Sequence, residues 1–308
     1  AGTIFVQFPT LWLVRLLGGG DPARGWQLTM VLYGVLASMM FVVCFLTTRE
    51  RVKPPETQRD LRGDLGAMLQ NKPLRLLFLL CTLVLAGGVM KGATTIYYLQ
   101  YFVQTEGVVF LGMDFSNTET LATFFLTGAG VTTLAGVLLT QPLNRFISKE
   151  RLYLLTMGLG ALLTIAFYFL PGDALMAIFA LNLVTGFVMG PTAPLMFAMF
   201  ADVADYGEWQ TGRSTTGLVF SGVMLFIKFG AAMGGYFSGL ILGAYGYVPN
   251  VAQSETSLQG ILLLVSVIPG VLMLIGASTM FIYPLTDTRM SELEQDLAAR
   301  RAASAEIA

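Results

Sequence analysis

The sequence predicts an all-α membrane protein, a helical bundle that crosses the bilayer about eight times. Three observations carry this. The 308-residue chain is 55% hydrophobic, with a mean hydropathy of +0.70. Only 12% of its residues are charged, where a soluble domain carries about 25%. The apolar residues also gather into stretches of about 20, the length that crosses a hydrocarbon core about 30 Å thick. Short polar links separate these stretches, so most of the surface must face lipid rather than water.

Taken in order, the predicted spans run at about 1–17, 26–47, 74–103, 120–143, 152–171, 174–200, 215–247 and 258–285. The first barely reaches spanning length. It opens Ala1-Gly2-Thr3-Ile4-Phe5-Val6 without a Met, a basic leader or a small-residue cleavage site, so it does not read as a signal peptide. The expectation is a helix entered part-way. Residues 48–73 form the one long polar break, and Pro54-Pro55 with mixed charges makes it a cytoplasmic linker. Four regions follow: 1–47, 48–73, 74–285 and a tail at 286–308. Six spans after a linker match one half of a twelve-helix transporter of the major facilitator type. The two spans before it are then the last two of the first half, with about four helices preceding them.

The six spans divide into two triplets, and the first helix of each carries residues that weaken helices. These are Gly87, Gly88 and Gly92 in one, and Gly186, Gly190, Pro191 and Pro194 in the other. Matching interruptions point to a midplane binding site in repeat-built transporters, although Gly and Pro are also simply common in membrane helices. In the tail, Ser291-Glu292-Leu293-Glu294 reads as a capping box before a short polar helix, with a disordered end as the alternative.

Basic residues set the orientation. Arg49, Arg51, Lys53, Arg59, Arg62, Lys72 and Arg75 lie around the linker, Arg145, Lys149 and Arg151 in one short link, Arg213 in another, and Arg289, Arg300 and Arg301 in the tail. The opposite links hold only Arg15 and Arg24. The basic side is cytoplasmic, which puts both ends of this chain inside a cell (inner) membrane.

Two charges sit within apolar spans, Lys91 and Lys228. A Lys at a helix centre costs roughly 2.5–3.5 kcal/mol, tolerated when it faces a polar cavity or an acidic partner. The competing reading is a lysine that snorkels to the interface. The carboxylates behave oppositely, all lying in links, helix ends or the tail. A cation-coupled transporter usually holds its ion with an intramembrane carboxylate, so a Na⁺ or H⁺ site would have to lie on preceding helices. Gln7, Tyr97, Tyr98, Gln100 and Asn182 are polar residues within spans. They could bond sugar hydroxyls, or serve as ordinary helix–helix contacts. Gly230-Ala231-Ala232-Met233-Gly234, continued by Gly235, Gly239 and Gly243, allows close helix approach. The link Ala201–Arg213 places Asp202, Asp205, Glu208 and Arg213 in a short turn. Pairing with Arg145, Lys149 or Arg151 would make a cytoplasmic gate; a solvated turn is the alternative.

Other function classes drop out. With no His there is no imidazole metal site, base or triad. No HExxH motif or phosphate loop occurs. No cofactor or metal is expected, and the chain does not read as an enzyme. A net charge of −1 gives no electrostatic case for nucleic acid. Cys44 and Cys81 lie in apolar runs and read as small buried hydrophobes.

The stretch Ala201-Asp202-Val203-Ala204-Asp205-Tyr206-Gly207-Glu208, followed by Gly217-Leu218-Val219-Phe220-Ser221, closely resembles the signature of the glycoside–pentoside–hexuronide:cation symporters. Gly246-Tyr247-Val248-Pro249-Asn250 with Gln253-Ser254, and Gly18-Gly19-Gly20-Asp21 with Gly25-Trp26-Gln27, are similar to two of that family's loops. The resemblance covers the whole chain in order. It implies alternating-access symport of a sugar or glycoside with a cation. It also implies that Lys228 is the intramembrane lysine beside the family's sugar and cation sites, and that Asp202, Asp205 and Arg213 are charges near its cytoplasmic gate. The family's cation-binding acids lie on helices that precede this chain. Val223 and Met224 stand where family members line the sugar pocket, and both are apolar. That departure points to a smaller or different glycoside, pentoside or uronide rather than melibiose. A reading from another class is a non-transporting membrane sensor or scaffold derived from a transporter half.

Overall fold

Helix starts follow from side chains that cap free backbone amides. In the computed structural model, Asp21 accepts from the amides of Ala23 at 2.9 Å and Arg24 at 3.4 Å, and Pro22 occupies the first helical position, where no donor is needed. Asn71 does the same for Leu74 at 3.1 Å, with Pro73 beside it. The structure describes residues 10, 12–48, 66, 68, 70–104, 109–110, 113–114, 118–212 and 216–307. Most of the expected linker, and all but the end of the expected first span, fall outside these. Among the described residues, seven helices are long and apolar enough to cross a membrane.

The chain divides into two units, Ala1–Asp60 and Leu61–Ala308. The first contains α1 (residues 12–18) and α2 (Pro22–Thr47), which turns back on α1. The hydroxyls of Thr10 and Tyr33 hydrogen-bond at 3.0 Å. α2 is apolar on all sides, and Met39, Met40, Phe41, Phe45 and Leu46 are exposed within this unit, as suits a helix surrounded by lipid or other helices. Cys44 is exposed for the same reason, against the expectation of burial, whereas Cys81 is buried.

The second unit contains α3 (Lys72–Tyr97), α4 (Thr118–Leu138), α5 (Lys149–Ala166), α6 (Leu175–Met189), α7 (Thr192–Thr211), α8 (Thr216–Ala244), α9 (Glu255–Val265), α10 (Val267–Ser278) and α11 (Asp287–Ile307). A short helical turn, Thr140–Asn144, precedes α5. Two-residue strands β1 (Val109–Phe110) and β2 (Met113–Asp114) pair antiparallel in the link between α3 and α4. α3 is central, packing on α7, α8, α9 and α10; α4 packs on α6, α5 on α6, α7 and α10, and α11 on α7. One buried cluster joins Leu77 and Cys81 of α3, Tyr153 and Met157 of α5, Phe200 of α7 and Met273 of α10 to Met290, Leu293 and Leu297 of α11. A second joins Tyr98 and Leu99 to Phe125 of α4, Phe167, Ile178 of α6 and Leu264 of α9.

Three expectations need correction. The paired interruption is one-sided: α3 runs unbroken through Gly87, Gly88 and Gly92, while the sixth span breaks at Gly190-Pro191 into α6 and α7. Glycine alone weakens a helix by about 1 kcal/mol, which tertiary packing overrides; proline also removes a donor. Pro194 does not interrupt α7, because it sits in the first turn. The last span is broken as well, at Ser266 between α9 and α10. Pro269 has no amide to offer the carbonyl of Val265, and the Ser266 hydroxyl donates back to the Leu262 carbonyl. Finally, the tail helix starts at Asp287, upstream of the apparent capping box, and is 21 residues long rather than short. Ser291 donates its hydroxyl to the Thr288 carbonyl within the helix, so it caps nothing.

Candidate functional site

Lys91 extends from α3 toward α5. Its ammonium donates to the Thr164 hydroxyl at 3.3 Å and lies 4.7 Å from the centroid of the buried Phe167 ring. The helix register shows what else is level with it. A Cβ on Gly87 would meet Pro269, and one on Gly276 would meet Val84 and Leu80. α3 and α10 are therefore antiparallel, and one turn beyond Gly87 places Lys91 level with the Val265–Ser266 break. This lysine belongs to the interior of its own half.

Lys228 is placed differently. It is exposed at mid-span on α8, with no hydrogen bond or ion pair to it among the described residues. Helical periodicity divides α8 into three faces. Val219, Val223, Gly230, Gly234 and Ser238 are buried, and a Cβ on Gly230 or Gly234 would lie 2.5 Å from the carbonyl oxygen of Thr82 or Ala86 of α3. Leu225, Phe229, Tyr236 and Leu240 form a bulky exposed face. Between them, Ser221, Met224, Lys228, Ala232, Gly235 and Gly239 form an exposed stripe of mostly small residues. Gly235 and Gly239 therefore do not extend the packing motif of Gly230 and Gly234; they lie on this open stripe, with nothing near them.

The remaining polar candidates do not gather around Lys228. Asn182 is 6% exposed and donates its amide to the Phe125 carbonyl at 2.7 Å, tying α6 to α4. Tyr97 lies near the end of its span, where α3 passes into the π-turn Tyr98–Phe102, and its ring is 5.0 Å from that of Tyr247. Gln7 and Arg213 lie outside the described residues.

At the other end of the unit a charged cluster does assemble. Asp202, Asp205 and Glu208 lie on the last turns of α7 rather than in a loop, because α7 continues to Thr211 before Gly212 ends it with φ of 69°. Asp202 is 8% exposed and accepts from Lys149 at 2.6 Å. Of the three cations expected to face these acids, Lys149 makes this bond; Arg145 and Arg151 are exposed on either side of it. Asp205 and Glu208 are half-buried. Asp287 was not anticipated as a member. It caps the start of α5, accepting from the Lys149 amide at 3.2 Å, and lies 3.8 Å from the Lys149 ammonium. Thr286-Asp287 opening a polar helix is a start signal that could have flagged it. Nearby, Asp296 of α11 accepts from the Trp209 indole at 2.7 Å and from Arg300 at 2.7 Å. α5, α7 and α11 are thereby tied together at one end.

An α-helical bundle with seven helices long and apolar enough to span a bilayer, and lysines at mid-span, is that of a multi-pass membrane protein. The chain belongs to the MFS/sugar transport protein family, whose model matches residues 1–287. It is 31% identical over 266 residues to the inner membrane symporter YicJ of Escherichia coli (strain K12), an alignment covering 86% of this chain and 55% of that protein. It is 29% identical over 269 residues to the isoprimeverose transporter of Lactiplantibacillus pentosus, covering 84% of this chain and 52% of that protein. It is 26% identical over 276 residues to the glucuronide carrier protein homolog of Escherichia coli (strain K12), covering 90% of this chain and 57% of that protein. The chain thus spans little more than half the length of these relatives. Their names agree with the resemblance to glycoside–pentoside–hexuronide:cation symporters, and the chain is a multi-pass inner-membrane protein.

Proposed function

We propose that this chain supplies the second half, and part of the first, of a secondary transporter that moves a sugar with a cation by alternating access. Relatives named for isoprimeverose and glucuronide transport make a glycoside, pentoside or hexuronide the substrate class. The observation that carries the reading is Lys228: a mid-span ammonium, exposed, on the small-residue stripe of α8 and without a partner among the described residues. An ammonium in hydrocarbon costs roughly 2.5–3.5 kcal/mol, and facing a wet cleft removes most of that cost. Met224, apolar and one turn before Lys228 on the same stripe, favours a smaller glycoside than melibiose, whereas Val223 is buried on the face of α8 that packs on α3 and takes no part in that cleft. Na⁺ or H⁺ is the coupling ion, held by carboxylates outside these 308 residues, since none lies at mid-span here. Asp202, Asp205 and Glu208, with Arg213, Lys149, Arg145 and Arg151, serve as the cytoplasmic gate, and both ends of the chain are cytoplasmic.

The test is uptake of a labelled panel of glycosides, pentosides and uronides by the full-length protein, with and without Na⁺ and a proton gradient. Lys228→Ala is expected to abolish cation-driven accumulation while leaving membrane expression intact. Unchanged accumulation would overturn the role given to Lys228.

A further inference from the structure

The chain between α10 and α11 carries a buried hydroxyl into the charged cluster. A 3₁₀ turn, Thr279–Ile282, follows α10 and packs on α5. Tyr283 leaves this turn extended, with φ of −73° and ψ of 121°, as suits the residue before Pro284. Tyr283 is 6% exposed. It belongs to the buried cluster that holds Leu152 and Tyr153 of α5 and Phe200 and Val203 of α7. Lys149 lies one turn before Tyr153, and Asp202 adjoins Val203. Asp287, four residues past Tyr283, accepts from the Lys149 amide at 3.2 Å. Tyr283 is therefore packed where α5 meets α7, beside the Lys149–Asp202 pair. Burial, and then the carboxylates of Asp202 and Glu150, push its phenol above the usual range, so it keeps its proton. The hydroxyl has no hydrogen-bond partner among the described residues. Glu150, Asp287 and Asp202 differ in what each keeps without the Lys149 ammonium. Glu150 keeps the Ser148 hydroxyl at 2.7 Å, and Asp287 keeps the Lys149 amide. Asp202 keeps nothing, because Lys149, at 2.6 Å, is its one hydrogen-bond donor among the described residues.

We infer that the Tyr283 hydroxyl is the second partner of Asp202 and takes its carboxylate when the Lys149 ammonium withdraws. A gate built on this pair must part Lys149 from Asp202 in every cycle. A carboxylate as enclosed as Asp202 is strongly destabilised when left alone, so a donor already beside it lowers the barrier to opening. A phenol suits that task. Its O–H bonds a carboxylate with charge assistance, and its neutrality leaves Lys149 the stronger partner in the closed state. No other acceptor holds the hydroxyl back among the described residues. Tyr283 is thus a positioning residue that keeps Asp202 satisfied through the exchange. The place of this exchange in a transport cycle rests on the gate proposed above; the exchange itself does not.

Thermal unfolding of the full-length, detergent-purified protein tests the exchange. Tyr283→Phe removes the hydroxyl and keeps the ring. In the wild-type background it should move the midpoint by less than about 1 °C, because the hydroxyl has no bond to lose there. In Lys149→Ala it should lower the midpoint by about 4 °C, the order of one hydrogen bond to a charged group. Adding Asp202→Asn should shrink that loss to less than about 2 °C, since the charge is gone. Tyr153→Phe removes the other buried phenol of this cluster that lacks a partner, and it should act alike with and without Lys149. Equal effects of Tyr283→Phe in both backgrounds, a loss that persists in full with Asp202→Asn, or a Lys149-dependent loss in Tyr153→Phe instead would overturn the exchange. Should Lys149→Ala not fold, Lys149→Gln takes its place in the same comparison. Uptake separates the exchange from the gate. Tyr283→Phe should slow uptake at saturating sugar roughly fivefold, the order of one hydrogen bond, with KM unchanged. Full uptake alongside the thermal coupling would overturn the gate's use of this pair and leave the pair standing; slowed uptake without the coupling would overturn the pair.

Discussion

Three lysines of this chain meet their surroundings in three ways, and the energetics differ accordingly. Lys149 faces the nearly buried Asp202 at 2.6 Å, so removing the ammonium leaves a carboxylate with little water to replace it. Truncating one partner of such a pair costs more than removing both. Lys149→Ala should therefore destabilise the detergent-purified protein by about 1–3 kcal/mol, and Lys149→Ala with Asp202→Asn by less than the sum of the two single changes. Thermal unfolding of the four proteins in a double-mutant cycle measures this, and additive losses would show the pair to be uncoupled. Lys91 has no carboxylate near it among the described contacts. Its ammonium rests over Phe167, a contact worth about 2 kcal/mol when desolvated, and donates to Thr164. These two contacts roughly offset the cost of its mid-span position. Lys228 has neither compensation within its own unit, so it is the one that calls for a polar surface from elsewhere.

At the scale of the element, α8 shows how one helix serves three environments. Its buried glycines bring it against the backbone of α3, its bulky face suits lipid, and its small stripe stays open. Gly234→Leu should prevent α8 from seating on α3, seen as loss of the monodisperse peak in size-exclusion chromatography. Gly239→Ala, with nothing near its Cβ, should leave that peak unchanged; transport by Gly239→Ala then reports whether the stripe meets another surface during the cycle. The broken spans are elements of the same kind. In both, proline supplies the break, at Pro191 directly and through Pro269 one turn past Ser266.

At the scale of the whole molecule, Lys149 at the start of α5 and Arg300 of the tail helix lie at the end of the second unit where α11 packs on α7. Met290, Leu293 and Leu297 enter the core cluster, while Asp296 and Arg300 grip Trp209. The positive-inside rule predicts that this end is cytoplasmic. A fluorescent protein fused after Ala308 should be bright and an alkaline phosphatase fused there inactive, with the reverse for fusions in the link after Asn250. A dark fluorescent fusion together with an active phosphatase at the tail would overturn this orientation.

Lipid as solvent was legible from composition and the length of apolar stretches, because an apolar surface and a spanning length are properties of the chain alone. The positions of Lys91 and Lys228 within apolar spans are legible in the same way. Which way each polar side chain turns was not. Lys91 and Lys228 look alike in sequence, yet one is enclosed by α5 and the other is open, since only helix packing decides which face of α3 or α8 is covered. Asn182 could be read as a sugar ligand until its amide was seen on the Phe125 carbonyl. The acids of 201–208 could be read as a turn because their spacing is equally compatible with a helix end. The tertiary structure decided these points because a side chain's partner comes from another helix, and sequence separation carries no record of which helix that is.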